Sequence, residues 1–336
     1  MVSVSVIMPV YNTAESYLRD AVSSVLAQSF TDFEFLILND SPDNRKLKNI
    51  VLSYNDKRIK YFENPYNMGI PQSYNKLLEL ASGKYVAVMN HDDIMLNSRL
   101  STQYTYLEKH PEIVLLGSWY KKFGEINRFK IVKNPRSHEE ICACLLFKSA
   151  LHHPTIMMRR DIIELHKIRY NENYISLNDR ILCYDFSKYG RLENLPQVLY
   201  KYRFHKNMTS KAQKDIIRKE RAMFHKLWFA GNNIDLDADE IDVFDNYITC
   251  GRNKITDKTV LLTALRTLEK LSEINKSKNI LSLSEFDKVC SKYYFKRCLG
   301  ALIYGKINLK SNLSSPLLKK KEKFLLRFLN IFCGWK

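Results

Sequence analysis

Four polar residues, Asn90-His91-Asp92-Asp93, follow the apolar run 85–89. Adjacent carboxylates repel one another, so a pair at a strand end needs something to hold it. A hard divalent cation such as Mg2+ or Mn2+ takes carboxylate oxygens and keeps positions open for phosphate oxygens. A solvated turn with helix-capping aspartates is the other reading of the same four residues. Asn39-Asp40-Ser41 closes a second apolar run. Its carboxylate can accept hydrogen bonds from a base or from ribose hydroxyls, or it can form an Asx turn. Pro9-Val10-Tyr11-Asn12 closes a third run and offers a ring on which a base can stack, or a plain strand exit. Later come His152-His153-Pro154-Thr155, Asn178-Asp179 and Tyr202-Arg203-Phe204-His205. Taken singly, each of these also suits a structural histidine or a residue complementing a helix N-terminus.

The elements that must position these residues are short. Apolar runs at 4–8, 33–38, 59–62 and 85–89 read as buried strands. Between them, 17–27, 47–54 and 73–81 carry helical spacing, as in Leu18, Ala21, Val22, Val25 and Leu26. Alternating strands and helices predict an α/β fold with a largely parallel sheet. Ligands of such sheets bind beyond the carboxyl ends of the strands, where the three polar clusters fall. Neither G-x-G-x-x-G nor G-x-x-x-x-G-K-[ST] occurs, which weakens the dinucleotide and P-loop readings. After Asp93 the pattern is looser, with helices expected at 101–108 and 179–189 and short strands at 113–118, 156–158 and 198–202. Helices dominate from 211 onward. The reading places one domain at 1–210 and a helical C-terminal region at 211–336, with the boundary near 207–211.

The 336 residues carry a net charge of +17, which calls for an anionic partner. Its placement is uneven. Residues 288–336 hold twelve basic side chains against one acid, Glu322, whereas 211–287 balance at thirteen of each. A nucleic-acid enzyme would spread basic residues about its cleft, so nucleic acid is not expected. Residues 316–333 interleave Lys319, Lys320, Lys321, Lys323 and Arg327 with leucines and phenylalanines, and Trp335 follows. Such a basic amphipathic segment suits an anionic membrane face, or else packs as a terminal helix with solvated lysines. The chain starts without a leader-like pattern, lacks an uninterrupted apolar run of about 18 residues, and has seven cysteines without a C-x-x-C. These features predict a cytoplasmic protein with reduced thiols, peripheral on the inner membrane face.

The order and spacing of the clusters are far more specific than any one of them. The chain resembles family-2 glycosyltransferases of the GT-A fold over about residues 3–210. The resemblance rests on 5–12 (Ser-Val-Ile-Met-Pro-Val-Tyr-Asn), Ala27-Gln28-Ser29-Phe30, Asn39-Asp40-Ser41, Asn67-x-Gly69, Ser82-Gly83-Lys84-Tyr85 and Asn90-His91-Asp92-Asp93. It continues through His153-Pro154-Thr155, Leu195-Pro196, Tyr202-Arg203-x-His205 and Ser210. It implies a nucleotide-diphospho-sugar transferase domain with a helical C-terminal extension. Pro9 and Tyr11 would lie beside the base, and Asp40 would contact base or ribose. Asp92 would bind the nucleotide sugar. Asp93, with His205, would hold the divalent cation, Mn2+ or Mg2+. Asp179 would be the general base of an inverting displacement, and His153 and Asn178 would line the acceptor side.

Three places depart from the family pattern. Asn90 stands where an Asp is common, and Asn178 where a Glu is common; Tyr74 also replaces a frequent Arg. The expected reaction moves a sugar from a nucleotide sugar, UDP-linked, to a hydroxyl of a glycan or lipid-linked acceptor in bacterial lipooligosaccharide or capsule synthesis. The rival readings are a catalytically inactive membrane-associated scaffold and a sugar nucleotidyltransferase. The latter is disfavoured because Pro-Val-Tyr-Asn-Thr stands where a Gly-rich basic loop would follow the first strand.

Overall fold

The computed structural model describes residues 2–125, 130–205, 214–250, 254–305, 307, 309, 314–323, 325 and 326. The chain folds as two compact units, Met1–Ile141 with Ser149–Ile217, and Cys142–Lys148 with Arg218–Lys336. The boundary expected at 207–211 lies outside the described residues, as do Ser210, Phe324, Arg327 and Trp335. Assignment of 142–148 to the second unit has no counterpart in the sequence reading.

The first unit is built on a sheet whose strands are β1 (Val4–Val10), β2 (Phe33–Asn39), β3 (Ile59–Glu63), β4 (Tyr85–Val88), β5 (Ile94–Met95), β6 (Ile113–Gly124), β7 (Lys130–Val132), β8 (Met157–Arg159) and β9 (Arg191–Phe204). Among the described residues the order is β3-β2-β1-β4-β8-β6-β9-β5, with β7 on β6. The first half is parallel, β3 to β2 to β1 to β4, as the alternation of strands and helices requires. Its helices α1 (Glu15–Leu26), α2 (Arg45–Leu52) and α3 (Ile70–Leu80) are the crossovers. β1 and β2 are buried on both faces, which is why they read as continuous apolar runs. The core gathers Val4, Val6, Met8, Phe35, Ile37 and Ala87 with Leu18, Val22 and Val25 of α1.

The second half departs from a largely parallel sheet. β8 runs antiparallel to both β4 and β6, whereas β6 and β9 are parallel. β9 is fourteen residues long, much longer than the strand expected at 198–202. Pro196 hides it, since proline cannot donate to a ladder. The register moves from Ser118↔Leu195 to Trp119↔Val198, so Pro196 and Gln197 form a bulge where that donor is not needed. The helices of this half are α4 (Arg99–Lys109), α5 (His138–Leu145), α6 (Arg160–Leu165) and α7 (Asn178–Phe186).

Two buried charges fasten the sheet. Arg99, at the start of α4, has no exposed surface and donates to Val88 O and Ile156 O, each at 3.0 Å, and to Gln103 Oε1 at 2.9 Å. It joins the end of β4 to the entry of β8. Glu34, 3% exposed, accepts from Ser5 Oγ at 2.6 Å, from Ser82 N and Oγ at 2.8 Å and from Lys60 Nζ at 2.6 Å. Gly83 follows because a Cβ there would sit 2.5 Å from Ser5 N.

The second unit is helical among its described residues: α8 (Lys214–Gly231), α9 (Ala238–Val243), α10 (Lys258–Lys278) and α11 (Leu283–Gly300). Turns of π-helix, Phe244–Ile248 and Ala301–Gly305, follow α9 and α11. Asp237 and Asp257 cap α9 and α10 by accepting from the first-turn amides. Inside, His225 is fully buried, with Nδ1 against Asp245 Oδ1 and Nε2 3.0 Å from Leu146 O. Both ring nitrogens thus face oxygen atoms of the same unit.

Burial alone would raise the Glu34 pKa, but hydrogen bonds from Lys60, Ser5 and Ser82 outweigh it and hold it at about 2 against an ordinary 4.5. A carboxylate depressed in the folded state contributes stability above its unfolded pKa and loses it as pH falls toward the folded value. We expect the melting temperature to fall between about pH 4.5 and about pH 2. Glu34→Gln should be less stable than the parent at neutral pH, and the gap should narrow through that window. A constant gap across it would show that Glu34 carries no linked proton.

Candidate active site at the carboxyl edge of the sheet

Asp93 lies at the base of the site. It has no exposed surface and is held by three donors: Arg203 N to Oδ1 at 2.6 Å, and Tyr200 OH and Asn90 Nδ2 to Oδ2, each at 3.0 Å. Two of these come from β9, which runs beside β5, the strand that follows Asp93. Burial first, then the charge of Asp92, pushes the Asp93 pKa well above the usual carboxylate range, against the pull of the three donors. Tyr200 accepts from Asn90 N at 3.3 Å and lies under the Arg99 guanidinium, 5.2 Å from its ring centre. The buried cation and the buried carboxylate thus meet the same phenol from opposite ends.

Asp92 is placed differently. Its carboxylate is half-buried, and Oδ2 lies 3.0 Å from His205 Nε2. Its carbonyl accepts from Arg203 Nε at 2.6 Å, and the same guanidinium reaches Asp20 Oδ2 of α1 at 2.7 Å. Arg203 is sandwiched between the rings of Tyr17 and Phe123, 4.3 and 4.5 Å from their centres. The His205 ring packs against Tyr17 at 5.6 Å. Arg203 was not singled out as a site residue from the sequence. Arg203 belongs to the Tyr-Arg-x-His string, which is its signal in the sequence.

Asp40, 4% exposed at the end of β2, accepts from Asn64 Nδ2 at 2.7 Å and from the amides of Met68 and Gly69 at 2.8 and 2.9 Å. Three donors on a carboxylate leave room for one more. Gly69 has φ of 88°, a left-handed conformation that glycine tolerates and that turns its N–H onto Asp40. Tyr11 is 49% exposed just past β1, and Pro9 is a half-buried member of β1. Asn12 follows with φ of 38°, its amide donating to Ser41 Oγ at 3.0 Å. β1 lies between β2 and β4, so Pro9, Tyr11, Asp40 and the loop after β4 share one edge of the sheet.

A chain of uncharged contacts runs from that loop to His153. Tyr74 OH donates to Asn90 Oδ1 at 3.4 Å, and its ring stacks on Tyr170 at 4.8 Å. Tyr170 OH lies 2.8 Å from His153 Nε2. Burial, then the Arg99 charge, lowers the His153 pKa to about 3, so the ring is neutral. Tyr170 stays protonated through burial and the nearby Tyr74, Cys183 and Asp179. Asp179 sits in the first turn of α7, where Oδ1 accepts from Arg180 N at 2.7 Å. Asn178 is buried, and its amide donates to Ile175 O at 3.0 Å.

Among the described residues, no group of three or more His, Cys, Asp or Glu side chains is placed to hold a metal ion. The Asp92–His205 pair is a two-ligand set of carboxylate oxygen and imidazole nitrogen. Such a set fits an octahedral cation that takes its other positions from phosphates and water.

The sequence pattern of glycosyl transferase family 2 matches residues 5–166. An uncharacterized glycosyltransferase of Haemophilus influenzae is 33% identical over 284 residues, covering 80% of this chain and 87% of that protein. The O-antigen biosynthesis glycosyltransferase WbnJ of Escherichia coli is 30% identical over 220 residues, 62% of this chain and 82% of that one. Among solved structures, S. aureus TarS 1-349 in complex with UDP-GlcNAc superposes with a TM-score of 0.58 at 18% identity, covering 94% of this chain and 99% of that one. The mannosyltransferase PcManGT of Pyrobaculum calidifontis, in complex with GDP-Man and Mn2+, superposes with a TM-score of 0.54 at 14% identity, covering 99% and 86%. The fold is that of GT-A glycosyltransferases with a helical C-terminal part. The chain belongs to glycosyltransferase family 2, and it is a glycosyltransferase.

The Tyr200 hydroxyl satisfies both a buried carboxylate and the Asn90 amide, so its loss leaves two buried groups short of a partner. We expect Tyr200→Phe to lower unfolding stability by about 1–3 kcal/mol, read as a reduced urea midpoint. A midpoint equal to the parent's would mean that Asp93 does not depend on this bond.

Proposed function

We propose that the chain is an inverting, metal-dependent glycosyltransferase that moves a sugar from a UDP-linked donor to a hydroxyl of a glycan or lipid-linked acceptor. The observation that carries this reading is the contrast between two neighbouring carboxylates. Asp93 is enclosed by donors, whereas Asp92 meets His205 at the open edge of the sheet. We therefore assign the cation to Asp92 and His205, and give Asp93 the task of fixing the loop that presents Asp92. In this proposal Asp92 takes the place first expected for Asp93, because Asp93 has no exposed surface from which to reach a cation, whereas Asp92 is partly exposed. A divalent cation bound there would neutralise the charge that builds on the departing diphosphate.

The remaining steps belong to side chains of this chain. Tyr11 offers its exposed ring to the base, with Pro9 fixing the strand exit. Asp40 keeps one acceptor site for base or ribose. Asp179 takes the proton from the acceptor hydroxyl as its oxygen attacks the anomeric carbon opposite the leaving diphosphate. Bond making and breaking occur in one displacement, so no covalent enzyme intermediate forms. His153, held neutral and tied to Tyr170, shapes the acceptor side with Asn178. The relative in O-antigen biosynthesis supports a role in bacterial surface polysaccharide synthesis, and the TarS complex supports a UDP-linked donor.

Isothermal titration of UDP with and without Mn2+, beside a transfer assay, tests the assignments. Asp92→Ala and His205→Ala should fold normally and lose the Mn2+-dependent gain in UDP affinity. Asp93→Ala should lower the melting temperature as well. Asp179→Asn should keep UDP affinity while transfer falls about 10²–10⁴-fold. Full Mn2+ dependence in Asp92→Ala, or full transfer in Asp179→Asn, would remove the corresponding role.

A further inference from the structure

The sequence directs attention to 316–333 as the membrane-facing part, and residues 324 and 327–333 of it lie outside the described residues. The second unit carries another cationic surface. On α11, Lys292 and Lys296 are four residues apart and both exposed, and Arg297 lies beside them. Spacing of four residues puts two side chains on one helix face. Lys148 belongs to the same unit. Burial, then the charges of Lys292, Arg297 and Lys148, lowers the Lys296 pKa. Among the described residues none of the four forms a hydrogen-bonded ion pair, and Arg297 Nε has no partner. From Lys288 to the end of α11 there is no acidic residue.

The helix continues through Ala301–Gly305, where Ile303 is 52% and Tyr304 56% exposed. Ile303 follows Lys292 by eleven residues, three helical turns, which keeps it near the same face. Lys254 Nζ lies 4.5 Å above the Tyr304 ring, so a further cation borders this apolar end. Lysines with flexible stems beside one aliphatic and one phenolic anchor are the composition of an interfacial surface.

We propose that this face of the second unit, Lys148, Lys292 and Lys296 with Ile303 and Tyr304, docks on an anionic phospholipid bilayer. Charge complementarity selects the occupant. The C-terminal segment already packs on the buried side of α11, where Ser291 Oγ meets Glu322 Oε2 at 3.5 Å, and an acidic protein or nucleic acid would leave Ile303 and Tyr304 without an apolar phase to enter. The lysines meet phosphate headgroups, while Ile303 and Tyr304 reach the acyl boundary. This proposal does not rest on the assignment of the active site.

Co-sedimentation of the full chain with vesicles of phosphatidylcholine, alone or mixed with phosphatidylglycerol, tests it. The parent should bind the mixed vesicles, less so as salt rises, and bind pure phosphatidylcholine weakly. Each lysine near an anionic surface contributes about 1 kcal/mol, about a fivefold change in partitioning. Lys292→Gln with Lys296→Gln should therefore weaken binding about 25-fold. Ile303→Ser with Tyr304→Ser should weaken it with the charge unchanged. Melting temperature and UDP affinity report folding and the donor site separately, and both should match the parent in each variant. Failure of the parent to bind the mixed vesicles would overturn the proposal. So would parent-like binding by the lysine variant, which would hand the interaction to the C-terminal segment.

Discussion

A carboxylate sealed from water must be met by donors, and Asp93 is such a group. Meeting that demand draws Tyr200 and the Arg203 amide from β9 and Asn90 from the loop after β4 to one point. Arg99 completes the arrangement from below, stacked on the same Tyr200 and bonded to the backbone where β4 and β8 meet. Removing one partner of a buried polar group costs more than the net worth of the contact, because the other is left unsatisfied. The loop that carries Asp92 is therefore fixed by the fold itself. The backbone of Asp92 is tied to Arg203, and its carboxylate stays partly exposed beside His205.

The same logic separates the sites on the sheet edge. Asp40 is mostly satisfied by the loop it organises, with capacity left for one ligand contact. The chain between Asn90 and His153 is uncharged throughout: amide, phenol, stacked phenol and neutral imidazole. A neutral Asn90 suits this company, since a third carboxylate within reach of Asp93 would add repulsion where burial already opposes charge. Tyr74 and Asn90, both departures from the family pattern, touch one another and form one neutral unit.

The first half of the fold was legible in the sequence because its strands are buried on both faces and its helices amphipathic, so apolar runs and helical spacing alternate cleanly. The second half was less so. β9 is broken by Pro196, and the bulge that accommodates it depends on pairing with β6, which no local pattern reports. Membership in the family and the GT-A fold followed from the order of short motifs. The three strand-end clusters do fall along one edge of the sheet. What the motifs could not supply was depth. Asp92 and Asp93 are neighbours in sequence and alike in chemistry, and only the three-dimensional course of β9 shows which is enclosed. The role of Arg203 is not legible in the sequence for a related reason, since its partners Asp20, Tyr17 and Phe123 are distant in sequence.

The central claim is that Asp92 and His205, with Asp93 anchoring them from beneath, form the metal-diphosphate site. Anomalous diffraction at the manganese edge, from crystals grown with UDP and Mn2+, tests it most directly. The account predicts a single strong peak within bonding distance of Asp92 Oδ2 and His205 Nε2, with the Asp93 carboxylate still bound to Tyr200 and Arg203. A manganese peak ligated by Asp93, with Tyr200 displaced, would contradict it.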